Sequence, residues 1–219
     1  MKHQFLYVCI IKAQKRFDLA EQLLVDCVER KTKSVGRSNA GTISSMLHLA
    51  AVYELQENFD ASESLIKECL AIQLEKQGDR HEDTLKTSND LAHLYKVQKK
   101  FDQAEELYER CLNVRKETLG LDHISTLTSM NNLGLCYKSS GKYDLGEELL
   151  LDCLQRRKKK LGVDSKPTLT TMFNLADLYE AQGKSDVSNS LFLECWQRRV
   201  TLMGEEHADC VVTKARIKE

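Results

Sequence analysis

The chain has 219 residues, 32 basic against 33 acidic side chains, a formal net charge of −1 and 30% charged residues. That balance gives no global attraction to nucleic acid or to an anionic membrane, so a partner must be recognised locally. One proline, no strand-like series and no transmembrane stretch leave an all-helical reading.

From the N-terminus, Lys2 and the apolar run Phe5–Ile11 resemble a weak signal peptide. The run is short, lacks a small-residue cleavage site and aligns with the first helix of later segments, so it reads as a helix of the fold. Beyond it the chain repeats itself at a shift of 42. Phe17, Phe59, Phe101 and Tyr143 fall in one column, each followed by Asp, and Ser185-Asp186 continues it. Cys27, Cys69, Cys111, Cys153 and Cys195 form a second column, Leu23, Leu65, Leu107, Leu149 and Leu191 a third, and Gly36, Gly78, Gly120, Gly162 and Gly204 a fourth. Such self-similarity predicts one stacked array spanning 1–219, with repeats near 1–38, 39–80, 81–122, 123–164 and 165–206, and 207–219 as a partial repeat or polar capping helix.

Each repeat reads as two helices. In the fourth, about Thr126–Ser140 forms the first and about Tyr143–Lys160 the second, joined at Gly141. Met130, Leu133, Gly134 and Tyr137 share the packing face of the first helix. Tyr143, Gly146, Leu150 and Cys153 make the buried stripe of the second. Gly162 suits a left-handed helix stop. The repeated cysteines read as buried, reduced core residues of an intracellular protein, because equivalent helices stack ~8–10 Å apart, too far for a disulfide. His81, His123 and His207 recur one per repeat, with Ser165 breaking the column, and read as contacts at helix N-termini instead of a converging metal site. The run Arg156–Lys160 reads as a solvated helix end, favoured there by the macrodipole.

The small residue in mid-helix, the Tyr three later, the aromatic opening the second helix and the small residues that follow it carry a family resemblance. So do the strings Asn131-Asn132-Leu133-Gly134-Leu135-Cys136-Tyr137 and Leu119-Gly120-Leu121-Asp122-His123. The chain resembles tetratricopeptide repeat proteins of the 42-residue kinesin light chain and nephrocystin-3-like type over nearly its full length. It departs from them in lacking the proline after His81, His123 and His207, and it shows no heptad coiled coil. The resemblance implies a right-handed α-solenoid of five tandem helix-turn-helix repeats plus a partial C-terminal helix.

The same resemblance places a concave groove on the first helices, opposite the packing face. Its candidate contacts are Lys86, Asn89, His93 and Lys96; Thr128, Asn131, Asn132, Leu135 and Lys138; and Thr170, Phe173, Asn174 and Asp177. Ser44, Leu47, Ala51 and Glu54 are their counterparts in the second repeat. Amides both donate and accept, so a row of asparagines suits the main chain of an extended peptide. Leu47, Ala51 and Asp90 disfavour a clamp for chaperone carboxy-termini. No metalloprotease, phosphate-loop or nucleophile-elbow motif is present, so neither enzyme activity nor a cofactor is expected. The expected function is a cytoplasmic protein-interaction scaffold for a peptide of a partner or kinesin-type cargo, without nucleic acid or membrane. The alternative is a regulatory segment of a larger nephrocystin-3-like or nucleotide-switch protein that self-associates or packs on its own chain.

Overall fold

A computed structural model describes residues 17–218, and among them all regular structure is α-helical. The first helix expected around Phe5–Ile11 lies outside the described residues. The helices are α1 (Phe17–Val35), α2 (Ala40–Leu55), α3 (Phe59–Gln77), α4 (Glu82–Val97), α5 (Phe101–Leu119), α6 (Ile124–Ser139), α7 (Tyr143–Leu161), α8 (Lys166–Ala181), α9 (Ser185–Met203) and the short α10 (Ala208–Lys214). The chain divides into two compact units, residues 1–100 and 101–219. In each unit every helix packs on the next, and short links make neighbours antiparallel. No helix among the described residues is long and apolar enough to cross a membrane.

Helix starts explain the recurring histidine. His81, His123 and His207 are N-caps of α4, α6 and α10, each in extended backbone, and each Nδ1 accepts from the N–H two residues on at 3.1–3.2 Å. Asn39 does the same for α2 through its side-chain oxygen, and Ser165 caps α8 by accepting from the N–H three residues on. Pro167 sits in the first turn of α8, where no intrahelical donor is needed.

Helix ends differ from the sequence expectation. Gly162 closes α7 with φ 88° and ψ 160°, and Gly78 closes α3 with φ 81° and ψ 175°. Positive φ with extended ψ is not a left-handed helical stop but a region that is essentially glycine's alone. The glycine carbonyl is then taken by a threonine of the next helix: Thr42, Thr126 and Thr168 donate to Gly36, Gly120 and Gly162 at 2.8–2.9 Å.

The core follows the predicted stripes. Met130, Leu133, Leu150 and Cys153 are at most 3% exposed, and a Cβ on Gly134 would lie 2.7 Å from Leu150 Cγ, which explains the small residue there. Thiols of the repeated column donate backward to a helix carbonyl: Cys153 to Leu127 at 3.1 Å and Cys195 to Leu169 at 3.3 Å. Burial pushes the Cys195 thiol up to about 11 and Cys69 to about 12. None of the described cysteines is in a disulfide. Cys27 departs from the expected burial and is only half-buried; the residue that would supply its carbonyl, 26 positions earlier, lies outside the described residues.

The basic run also departs from expectation. Arg157 is 5% exposed, and its NH1 donates to Pro167 O and Thr171 Oγ1, both at 2.8 Å. Arg156 is held by Asp122 at 2.8 Å and Asp152 at 2.7 Å. The solvated-end reading holds for the exposed Lys159 and Lys160 and fails at Arg157, because the start of the next repeat closes over the middle of the run. Arg199 repeats the arrangement with Asp209 O and Thr213, and Lys31 with Gly41 O and Ser45. Each cation therefore ties its helix to the opening turn of the next repeat.

Candidate functional site

In the first unit, α2, α3 and α4 enclose a cleft of about 730 Å³. The volume lies in the range of ligand-binding clefts. Its apolar surface comes from Ile43, Leu47, Ala51 and Ile66, and its polar walls include Glu54, Asp83, Lys86, Asp90 and His93. Of the groove positions read from the sequence, the structure gathers Lys86 and His93 here, together with Ser44, Leu47, Ala51 and Glu54. The lining from α3, namely Ile66, Gln73, Lys76 and Gln77, escaped the sequence reading because that reading treated the first helices alone. Lys96 is half-buried and outside the lining. Asn89 also turns away: it is 9% exposed, its amide donates to Leu85 O at 2.7 Å, and its Oδ1 has no hydrogen-bond partner.

The charges of this cleft are unequally paired. His93 Nδ1 lies 3.2 Å from Glu54 Oε1, and Lys86 Nζ lies 3.3 Å from Asp83 Oδ1. Lys76 is spent on the carbonyl of Ser38 at 2.9 Å. Asp90 is an exposed residue set into the concave wall of the cleft. Desolvation in the cleft pushes its carboxyl up to about 6, with His93 opposing the rise and Glu54 adding to it.

In the second unit α6 and α8 touch, so the two candidate rows meet. Asn131 Oδ1 accepts from Asn174 Nδ2 at 2.9 Å and from Thr171 Oγ1 at 3.3 Å, and Asn131 is 6% exposed. The single-helix geometry that pointed Asn131 outward fails because the following repeat covers that side. Asn132 and Leu135 are half-buried. Thr128 and Thr170 are exposed, and each hydroxyl donates to the carbonyl four residues back. Lys138 is paired with Asp177, and Phe173 packs edge-on against Phe192 at 5.2 Å.

The end of this face is occupied by the chain itself. Arg216 pairs with Asp177 at 2.5 Å and with Glu180, and its guanidinium lies 5.1 Å from the ring of Phe192 and 6.0 Å from Phe173. Lys218 adds a second cation on Glu180 at 2.9 Å, and these two cations hold the Glu180 carboxyl below its usual range. Asn189 exchanges two hydrogen bonds with the backbone of Lys218, at 2.8 and 3.0 Å. The residues after α10 thus pack on this face beside the helix itself, a placement that no helical period could show.

Residues 10–75, 42–117, 83–145 and 132–195 each match the model of the tetratricopeptide repeat family. Curated protein sequences give no match. Among crystal structures, the nearly identical TPR-like repeats of a Podosopora anserina kinesin light chain superpose with a TM-score of 0.72 at 22% identity, covering 92% of this chain and 96% of that one. BtubC (BKLC) from P. vanneervenii gives 0.74 at 20% identity over 93% and 81%. A Rap protein complexed with competence and sporulation factor gives 0.73 at 16% identity, covering 96% of this chain and 55% of that one. At these identities the likeness speaks for the fold alone.

Proposed function

Because the chain belongs to the tetratricopeptide repeat family, we propose that it is a protein-interaction scaffold that holds an extended peptide of a partner in the cytoplasm. The observation that carries this reading is the first-unit cleft, with an apolar floor and polar walls built from positions that repeat along the chain. An extended segment laid there buries side chains on Leu47 and Ala51 while Ser44, Lys86 and His93 remain for polar contacts. A Rap protein with a bound factor shares the fold, and so do kinesin light chain repeats, which makes a motor cargo one candidate partner. The reading needs no catalytic group and no cofactor.

One observation favours a second reading, in which the repeats pack on their own chain: Arg216 and Lys218 already cover the end of the second-unit face. Affinity capture with mass spectrometry, followed by titration of the captured peptide against wild type and Ala51→Trp, separates the two. Ala51 is exposed in the cleft, so the indole blocks the floor without entering the core. Lost binding with an unchanged Tm supports the groove, whereas unchanged affinity moves the site elsewhere.

A further inference from the structure

We infer that the first-unit cleft selects a basic peptide, seating an arginine or lysine side chain of the partner between Glu54 and Asp90. The inference rests on the peptide-groove reading and adds the charge of the occupant.

Charge accounting in the cleft gives the first argument. The Asp83 carboxylate has Lys86, the Glu54 carboxylate has His93, and Lys76 is held by a backbone carbonyl. Among the described residues Asp90 has no hydrogen bond and no ion pair; His93 favours its charge, and Glu54, a like charge in the same cleft, opposes it. An anionic peptide would add a third carboxylate to that wall. A single cation seated between them would attract both groups.

Repeat register gives the second argument, from the other unit. Glu180 stands three repeats after Glu54, and Arg216 stands three repeats after Asp90. In the second unit this pair of positions is a direct ion pair, Glu180 with Arg216, reinforced by Asp177. In the first unit the same two positions are both carboxylates. Arg216 lies just past α10 and Asp90 within α4, so the two correspond in sequence spacing: at that spacing the second unit answers its glutamate with an arginine, whereas the first unit supplies Asp90 and leaves Glu54 to His93.

The test starts with a random dodecapeptide phage library panned at pH 7 on the full chain. The recovered peptide is then synthesised with a fluorescein label and titrated by anisotropy. The expected consensus carries arginine or lysine, and Glu54→Gln and Asp90→Asn each weaken binding about tenfold, the loss of one charge pair. Circular dichroism checks that both variants keep the fold. A norleucine replacing the basic residue of the peptide should weaken binding to wild type equally, and to Asp90→Asn much less.

Affinity of the wild type should also fall between pH 7 and pH 5, as Asp90 gains its proton, and Asp90→Asn should lose most of that dependence. Glu54 and His48 on α2, Lys76 on α3, and Asp83, Lys86 and His93 on α4 share the cleft, so the comparison with Asp90→Asn isolates the one group. A consensus that is acidic or uncharged overturns the inference, as do variant affinities within twofold of wild type. If Ala51→Trp still abolishes binding in those cases, the groove reading survives and only the charge assignment falls. If Ala51→Trp has no effect, or the library returns no binder, both fall.

Discussion

Replacing Arg157 tests the idea that a buried cation stitches one repeat to the next. The guanidinium is 5% exposed, no carboxylate neutralises it, burial lowers its pKa, and its Nε has no partner. The two short charge-assisted hydrogen bonds, to Pro167 O and Thr171 Oγ1, contribute ~1.5–3 kcal/mol each beside a longer one to Thr128 Oγ1 at 3.4 Å, and desolvation of the cation offsets most of that. What remains to be lost on Arg157→Ala is the packing of the stem, because the Pro167 carbonyl keeps the Thr171 hydroxyl at 3.2 Å. The cavity left by so large a buried side chain costs ~2–4 kcal/mol. Arg157→Met keeps the volume and should cost ~1–2 kcal/mol. Arg157→Lys should cost less than ~1 kcal/mol, because Lys31 makes the equivalent bonds to Gly41 O and Ser45 at 3.1 and 2.7 Å. Urea unfolding followed by circular dichroism gives the size. Hydrogen exchange at Thr168–Thr171 gives the place, since stacked repeats can open piecewise. An alanine variant within ~0.5 kcal/mol of wild type, or a lysine variant as damaged as alanine, would refute the stitching argument.

His123→Ala removes the N-cap of α6 and should lower stability by ~0.5–2 kcal/mol in the same unfolding assay, while His123→Asn should restore most of it, as Asn39 caps α2. Lys99 is held at φ 61° where later repeats have Gly141 and Gly183, so Lys99→Gly should raise stability by up to ~1 kcal/mol; a loss would show that the turn does not strain the lysine. Asn131→Ala should lower Tm by an amount matching ~1–3 kcal/mol, because its carbonyl answers two donors; a surface-like change below ~0.5 kcal/mol would contradict the buried placement. Lys67 first, then Lys100, hold the Glu63 carboxyl down to about 2. Its folded pKa is depressed, so its stabilisation is complete above about pH 4.5 and is lost as pH falls toward 2. The Tm gap between wild type and Glu63→Gln should shrink through that window, and a pH-independent gap would exclude the assignment.

Much of the architecture is legible in the sequence because a 42-residue period repeats the same physical solution. Phe59, Phe101 and Tyr143 open their helices as the column predicts, and Gly78 and Gly162 close them. What the sequence hides is anything decided by the neighbouring repeat. Arg157 looks like one member of a solvated basic run, although a signal was there: Lys31, Gln73, Arg115, Arg157 and Arg199 share one column. Asn131 looks outward on its own helix and is covered by Thr171 and Asn174 of the next. Of the groove positions, Lys86 and His93 reach the cleft, while Asp177 is taken by Lys138 and Arg216, since opposite charges across adjacent repeats satisfy one another before a partner can.

The bonds between repeats are relations of distance along the chain and not of address. The buried cation reaches ten and fourteen residues ahead, and the cysteine reaches twenty-six behind. Glu147 reaches thirty-two, thirty-five and thirty-seven ahead, to Tyr179, Gln182 and Lys184. Such relations survive the removal of one whole period. Cutting out residues 124–165 would present Arg115 with Pro167 O and Thr171 Oγ1, the partners Arg157 has now, and would present Glu105 with Gln182 and Lys184. A gene with this grammar can lengthen or shorten its product by complete units while every new junction arrives already satisfied, so recombination can change how much surface the protein offers without first solving a packing problem.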